Sequence, residues 1–225
     1  MSRSFVGVLS AAALTIPLAL FAFPAQASVI DGTNGADTLH GTDGWDTISG
    51  FRGNDLLTGR DGDDDLFGGQ GADELRGGRD NDDAYGNGGR DLLRGGLGDD
   101  VLQTGNGNDT AVGGAGTDWL YGAAGDDSLA GAGDRDFIEP GDDEDAVAAG
   151  PGNDYVYVEV DGTNTVPSSP DVIDCGDGDD TVYAPGNRLD PRDRFVDCEN
   201  FDGCGGFRSW HDDEKLVCRW AKASA

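Results

Sequence analysis

Fourteen aspartates stand nine residues apart without a break: Asp37, Asp46, Asp55, Asp64, Asp73, Asp82, Asp91, Asp100, Asp109, Asp118, Asp127, Asp136, Asp145 and Asp154. A carboxylate can serve as a general acid or base, but such work needs one residue or a pair in one cleft. A carboxylate repeated fourteen times in phase suits ligation instead. Hard divalent cations such as Ca²⁺ take six to eight oxygen donors, from carboxylates and backbone carbonyls alike. Two places after each aspartate stands an apolar residue, from Leu39 and Ile48 through Val147 and Val156. The chain thus couples a potential ligand to a potential core residue at a fixed distance.

The elements that must position these aspartates follow from the rest of the nonapeptide. The run divides into consecutive nines from Gly32 to Tyr157, with Asp at the sixth position and an apolar residue at the eighth. Glycine fills the first and the fourth position in eleven units each. Glycine permits positive φ and close backbone approach, so the first six residues can make a tight turn whose carbonyls point inward with the carboxylate. The last three are long enough for a very short strand. Alternation sends the eighth residue to one face and its neighbours to the other. One apolar side chain per nine residues makes a thin core.

Composition sharpens the choice of chemistry. The 225 residues include 39 Gly and 44 Asp plus Glu against 15 Lys plus Arg, for a net charge of −29. Nucleic acid and anionic membrane surfaces carry the same sign and are excluded as partners. High charge with few apolar residues is also the signature of a disordered chain. A disordered tract has no reason to keep an apolar residue two places after every aspartate, so the spacing favours a metal-bound fold.

The units Gly68-Gly69-Gln70-Gly71-Ala72-Asp73-Glu74-Leu75-Arg76 and Gly95-Gly96-Leu97-Gly98-Asp99-Asp100-Val101-Leu102-Gln103 resemble the GGxGxDxUx nonapeptide of repeats-in-toxin (RTX), or haemolysin-type, calcium-binding proteins. A further unit, Cys175 to Tyr183, adds Asp180 as a fifteenth candidate ligand. The resemblance implies an all-β, right-handed parallel β-roll, a β-solenoid with two nonapeptides per turn and Ca²⁺ between stacked loops. Loops would stack every eighteen residues. Asp37, Asp55, Asp73, Asp91, Asp109, Asp127 and Asp145 would line one edge, and Asp46, Asp64, Asp82, Asp100, Asp118, Asp136 and Asp154 the other. If every gap is filled, about twelve ions bind through this oxygen chemistry. Departures fall at the fourth position, where Asp80, Asp134 and Asp143 replace glycine, and at the first, where Thr104, Pro140 and Ala149 do. Aspartate tolerates left-handed backbone better than most residues. The region 134–149 is nevertheless where sites are least expected.

Arg3 precedes an apolar stretch from Phe5 to Phe23, followed by Pro24-Ala25-Gln26-Ala27. This reads as a signal peptide, residues 1–27, cleaved after Ala27; an uncleaved anchor is the alternative. A secreted, extracellular protein is expected, with no membrane contact after cleavage. Cys175, Cys198, Cys204 and Cys218 form an even set in an exported chain, so disulfides are expected. Proximity along the chain favours Cys175–Cys198 and Cys204–Cys218 among the three pairings. No CxxC pair supports a Cys₄ zinc site.

Beyond the roll of residues 28–157, residues 158–183 read as an insertion with Pro167-Ser168-Ser169-Pro170 plus one further repeat. Asp171-Val172-Ile173 resumes a strand. Residues 184–225 hold Phe195, Phe201, Phe207, Trp210 and Trp220 with three cysteines, as expected of a small disulfide-stapled C-terminal cap on a solenoid end. His40 and His211 are isolated, and neither HExxH nor GxSxG occurs. No catalytic residues are assigned, and no cofactor beyond Ca²⁺ is expected. The reading is a non-enzymatic secreted calcium-binding protein with a structural or cell-envelope role. An adhesion or surface-recognition protein is the alternative, and a hydrolase with its site in 158–225 comes third.

Overall fold

The computed structural model describes residues 27–158, 170–184 and 193–202. The expected signal peptide up to Gln26, the expected Cys204–Cys218 pairing and the aromatic residues Phe207, Trp210 and Trp220 lie outside the described residues. Among those described there is no helix, and the chain is a parallel β-solenoid of two sheets. Successive strands alternate between the sheets. One sheet stacks ten strands from Ser28–Asp31 to Asn200–Asp202, and the other stacks nine from Thr38–His40 to Arg194–Val196.

The eighteen-residue stacking expected from two nonapeptides per turn is the register observed. Leu39 pairs with Leu57 and Ile48 with Leu66, and the offset holds through Leu129↔Val147. The eighth-position residues therefore superpose as two apolar columns, and they are the core. Leu57, Leu75 and Leu93 of one sheet and Ile48, Leu66 and Leu102 of the other are fully buried. Outward positions alternate with them, as pleating requires.

Strand length differs from the expectation. Most strands between Leu56 and Asp142 have six residues, such as Leu56–Asp61 and Glu74–Arg79. The first three residues of each unit stay hydrogen-bonded to the coil above while they bend, so Arg60 still pairs with Gly78 and Asp61 with Arg79. The bend falls at the second position, where Gly69 and Gly78 have φ of 110° and 135°. Asp80, Asp134 and Asp143 do adopt left-handed backbone, with φ of 68°, 71° and 84°.

Past Ala146 the strands shorten to three residues. The register offset rises to 26 where Val147 meets Ile173 and Val156 meets Val182, and the stack continues across it. Asp171-Val172-Ile173 does resume a strand, Val172–Asp174. The part of the expected cap that is described, residues 193–202, adds one more strand to each sheet, with Phe195 over Ile173 and Phe201 over Val182. The Cys175–Cys198 disulfide forms as expected, and both cysteines are buried inside the stack.

Candidate metal centre

Each sixth-position aspartate ends the turn immediately before the strand (Asp46 is itself the first strand residue), so the turn carries it to the edge of the sheet and the ladder fixes its height. The fifteen aspartates fall in two files, one on each edge. From Asp46 on their Oδ1 atoms are engaged: the Asp82 amide donates to Asp100 Oδ1 at 2.8 Å, and the Asp55 amide to Asp73 Oδ1 at 2.8 Å. Each carboxylate thus ties its own coil to the one before it.

The second oxygen is what stands out chemically. From Asp55 to Asp154, and again at Asp180, Oδ2 is buried without a hydrogen-bond partner. A buried unpaired carboxylate oxygen costs free energy in the absence of a counter-charge. The first-position glycine lies against it. A Cβ built on Gly50 would sit 2.5 Å from Asp55 Oδ2 and 2.7 Å from the Gly68 carbonyl oxygen. At Gly41 the same point lies 2.6 Å from Asp46 Oδ2 and 2.5 Å from the Gly59 carbonyl. Glycine is required there because two oxygens, one carboxylate and one carbonyl of the next coil, converge on its open face. Two electron-rich oxygens turned toward one space without a proton between them are the donor set of a hard cation.

Electrostatics point the same way. Burial, the largest cause, pushes the Asp82 and Asp145 carboxyls up to about 8 from an ordinary value near 3.8. Asp91, Asp100 and Asp136 rise to about 7, and Asp64, Asp118, Asp127 and Asp154 to about 6. Backbone amide donation opposes burial, and repulsion from stacked neighbouring aspartates adds to it in these files. Among the described residues no three His, Cys, Asp or Glu side chains cluster as a metal site. Each gap offers few carboxylates, so most donors to an ion would be backbone carbonyls.

Asp37 and Asp46 differ from the rest. The amide and hydroxyl of Thr33 donate to Asp37 Oδ2 at 2.6 and 2.9 Å, and those of Thr42 to Asp46 Oδ2 at 2.5 and 3.0 Å. Three acids that the aspartate count missed extend the files. The Asp145 amide donates to Asp171 Oδ1, and the Asp171 amide to Asp193 Oδ1, each at 3.1 Å. On the other edge the Asp180 amide donates to Glu199 Oε2 at 3.1 Å. An acid two places before an apolar strand residue, as in Asp193-Arg194-Phe195 and Glu199-Asn200-Phe201, was the signal available without the glycines. A second ladder also went unread. Fifth-position oxygens cap the next loop, with Asn81 Oδ1 accepting from the Asp99 amide and Asp99 Oδ1 from the Thr117 amide, both at 2.8 Å.

The family model of the RTX calcium-binding nonapeptide repeat matches the chain in four copies, over residues 27–50, 41–75, 67–102 and 103–138. The chain belongs to the RTX calcium-binding repeat family. Repeats of this family bind calcium, and the orphaned Oδ2 atoms, converging carbonyls and all-oxygen donor set of the RTX coils fit that ion. No curated protein matches the chain. The family match ends at residue 138, while the files of acids run on through the described residues to Asp193 and Glu199.

Proposed function

We propose that this RTX chain is a secreted, non-catalytic calcium-binding protein whose coils order as ions enter between stacked loops on both edges. The observation that carries the reading is the row of buried, unpartnered Oδ2 atoms facing first-position glycines. Asp55, Asp73, Asp91 and Asp127 on one edge, and Asp64, Asp82, Asp100, Asp118 and Asp136 on the other, would hold the ions with carbonyl oxygens of the adjoining coils. Calcium, when bound, supplies the positive charge that stacked carboxylates lack. The protein's share of the work is positional: the Oδ1 ladder holds each carboxylate at a fixed height, and the glycines keep the space beside it clear. A buried disulfide and calcium in the millimolar range both belong to an extracellular setting. Far-UV circular dichroism during a calcium titration tests the proposal. Strand signal should grow with calcium and collapse with chelator; a signal indifferent to both refutes it.

A second reading, surface recognition, is favoured by one feature. Trp119, Phe137 and Tyr155 stack outward on one sheet at centroid spacings of 5.4 and 5.7 Å. With Tyr121, Tyr157 and Tyr183 they line a groove of about 400 Å³. Loss of cell-surface binding in Phe137→Ala, with calcium binding intact, would establish that role, and unchanged binding would remove it.

A further inference from the structure

The files are not uniform, and two interruptions share one construction. At the first position Thr104 replaces glycine and is fully buried. Its hydroxyl donates to the Gly122 carbonyl oxygen at 2.6 Å. That carbonyl is the one which, in an open gap, points with the aspartate Oδ2 into the space beside glycine. A proton donor of the chain itself therefore occupies the space next to Asp109. Ala149, also fully buried, puts a methyl group at the equivalent place before Asp154.

Each of these two aspartates also has an arginine in the loop one coil earlier. Arg90 precedes Asp91, whose amide donates to Asp109 Oδ1 at 2.7 Å. Arg135 precedes Asp136, whose amide donates to Asp154 Oδ1 at 2.8 Å. Both stand at the fifth position, which Asn or Asp occupies at Asn54, Asp63, Asn81, Asp99, Asn108 and Asp126. On the first edge Arg90 lines an open cavity of about 630 Å³ together with Asp109 and Asp127. Blocked space and imported positive charge thus occur at the same two rungs, on opposite edges of the roll.

We propose that Thr104 with Arg90, and Ala149 with Arg135, take the place of a calcium ion at Asp109 and Asp154, so that the ion files are interrupted there. The proposal rests on the calcium reading above and deepens it: it says which rungs of the files go without metal and which side chains compensate. A blocked rung needs a fixed cation because the aspartate still ties two coils through Oδ1, and its carboxylate remains buried. A guanidinium cannot be deprotonated in proteins, so such a rung stays compensated at any calcium concentration.

Native mass spectrometry of the full chain in saturating calcium counts the ions. Thr104→Gly/Arg90→Asn should bind one more ion than the wild type, Ala149→Gly/Arg135→Asn one more, and the four-fold variant two more. Thr104→Ser keeps the hydroxyl and should leave the count unchanged. Single Thr104→Gly and Ala149→Gly variants guard against loss of folding, with circular dichroism at saturating calcium as the check. Unchanged counts in the folded glycine variants, with several ions on the wild type, overturn the inference alone. A gain in Thr104→Ser overturns the part given to the hydroxyl. A wild type that binds no calcium overturns the underlying calcium reading as well.

Discussion

The coils between Gly50 and Asp136 and the coils from Pro140 to Asp202 share one fold and differ in what holds them. In the first group the strands run to six residues and, Thr104 apart, a glycine leaves open space beside each buried Oδ2. In the second the strands have three residues after Asp142, and Pro140, Ala149 and Cys175 stand where the glycines were. There a buried disulfide joins Cys175 to Cys198, Phe195 packs edge-on against Phe201, and Tyr157 stacks on Tyr183. The comparison teaches that one backbone path can be held in two ways. The glycine coils leave open space beside each buried Oδ2, whereas in the C-terminal coils Asp145, Asp154 and Asp180 keep a buried Oδ2 with a larger residue at the first position, and packing and a disulfide are added.

The largest effect expected is from calcium withdrawal. Excess chelator should abolish most of the strand signal in far-UV circular dichroism, because the Gly50–Asp136 coils supply most of the strand residues among those described. Next comes the shared core. Leu93→Ala empties one rung of a column that has no second layer and should cost about 2–5 kcal/mol in a calcium-saturated denaturant melt. Cys175→Ser/Cys198→Ser opens a loop with a sequence separation of 23 and should cost about 3 kcal/mol, confined to the C-terminal coils and without change in the ion count. An ion count that fell with the disulfide would mean the two regions are not held separately.

Two smaller effects sharpen the contrast. The carboxyls of the metal-free files are raised by burial to about 6–8 from near 3.8. A group with a raised folded value favours the protonated fold. Its contribution is full below the unfolded value and is lost as pH rises through the folded one. In chelator the roll should therefore keep more strand signal at pH 5 than at pH 8.5, and equal signals would contradict the burial of these groups. Asp82→Asn preserves a side-chain acceptor for the Asp64 amide but removes the charge. It should bind one ion fewer, lose stability in calcium and gain it in chelator, a reversal of sign visible in paired thermal melts.

The fold was legible because its period is. Asp at the sixth and apolar at the eighth position define both columns and both files, and the eighteen-residue stacking of Leu39 on Leu57 follows once the family is recognised. The boundaries were less legible. Asp171, Asp193 and Glu199 join the files without a glycine-rich loop before them, so a search for whole nonapeptides passes over them. The role of Thr104 was hidden for another reason. Sequence marks it as a departure from glycine, but only the stacked coils show that its hydroxyl meets a carbonyl eighteen residues on. Long-range partners of this kind belong to the stacking and cannot be read from one repeat.

The central claim is that calcium between coils, and not the apolar columns alone, orders the glycine-rich part of the roll. Peptide-resolved amide hydrogen exchange of the full chain, with and without chelator, tests it most directly. Protection across residues 50–136 should appear with calcium and vanish without it, while residues 170–184 and 193–202 stay protected longer in chelator. Equal protection of residues 50–136 in the two conditions would contradict the account.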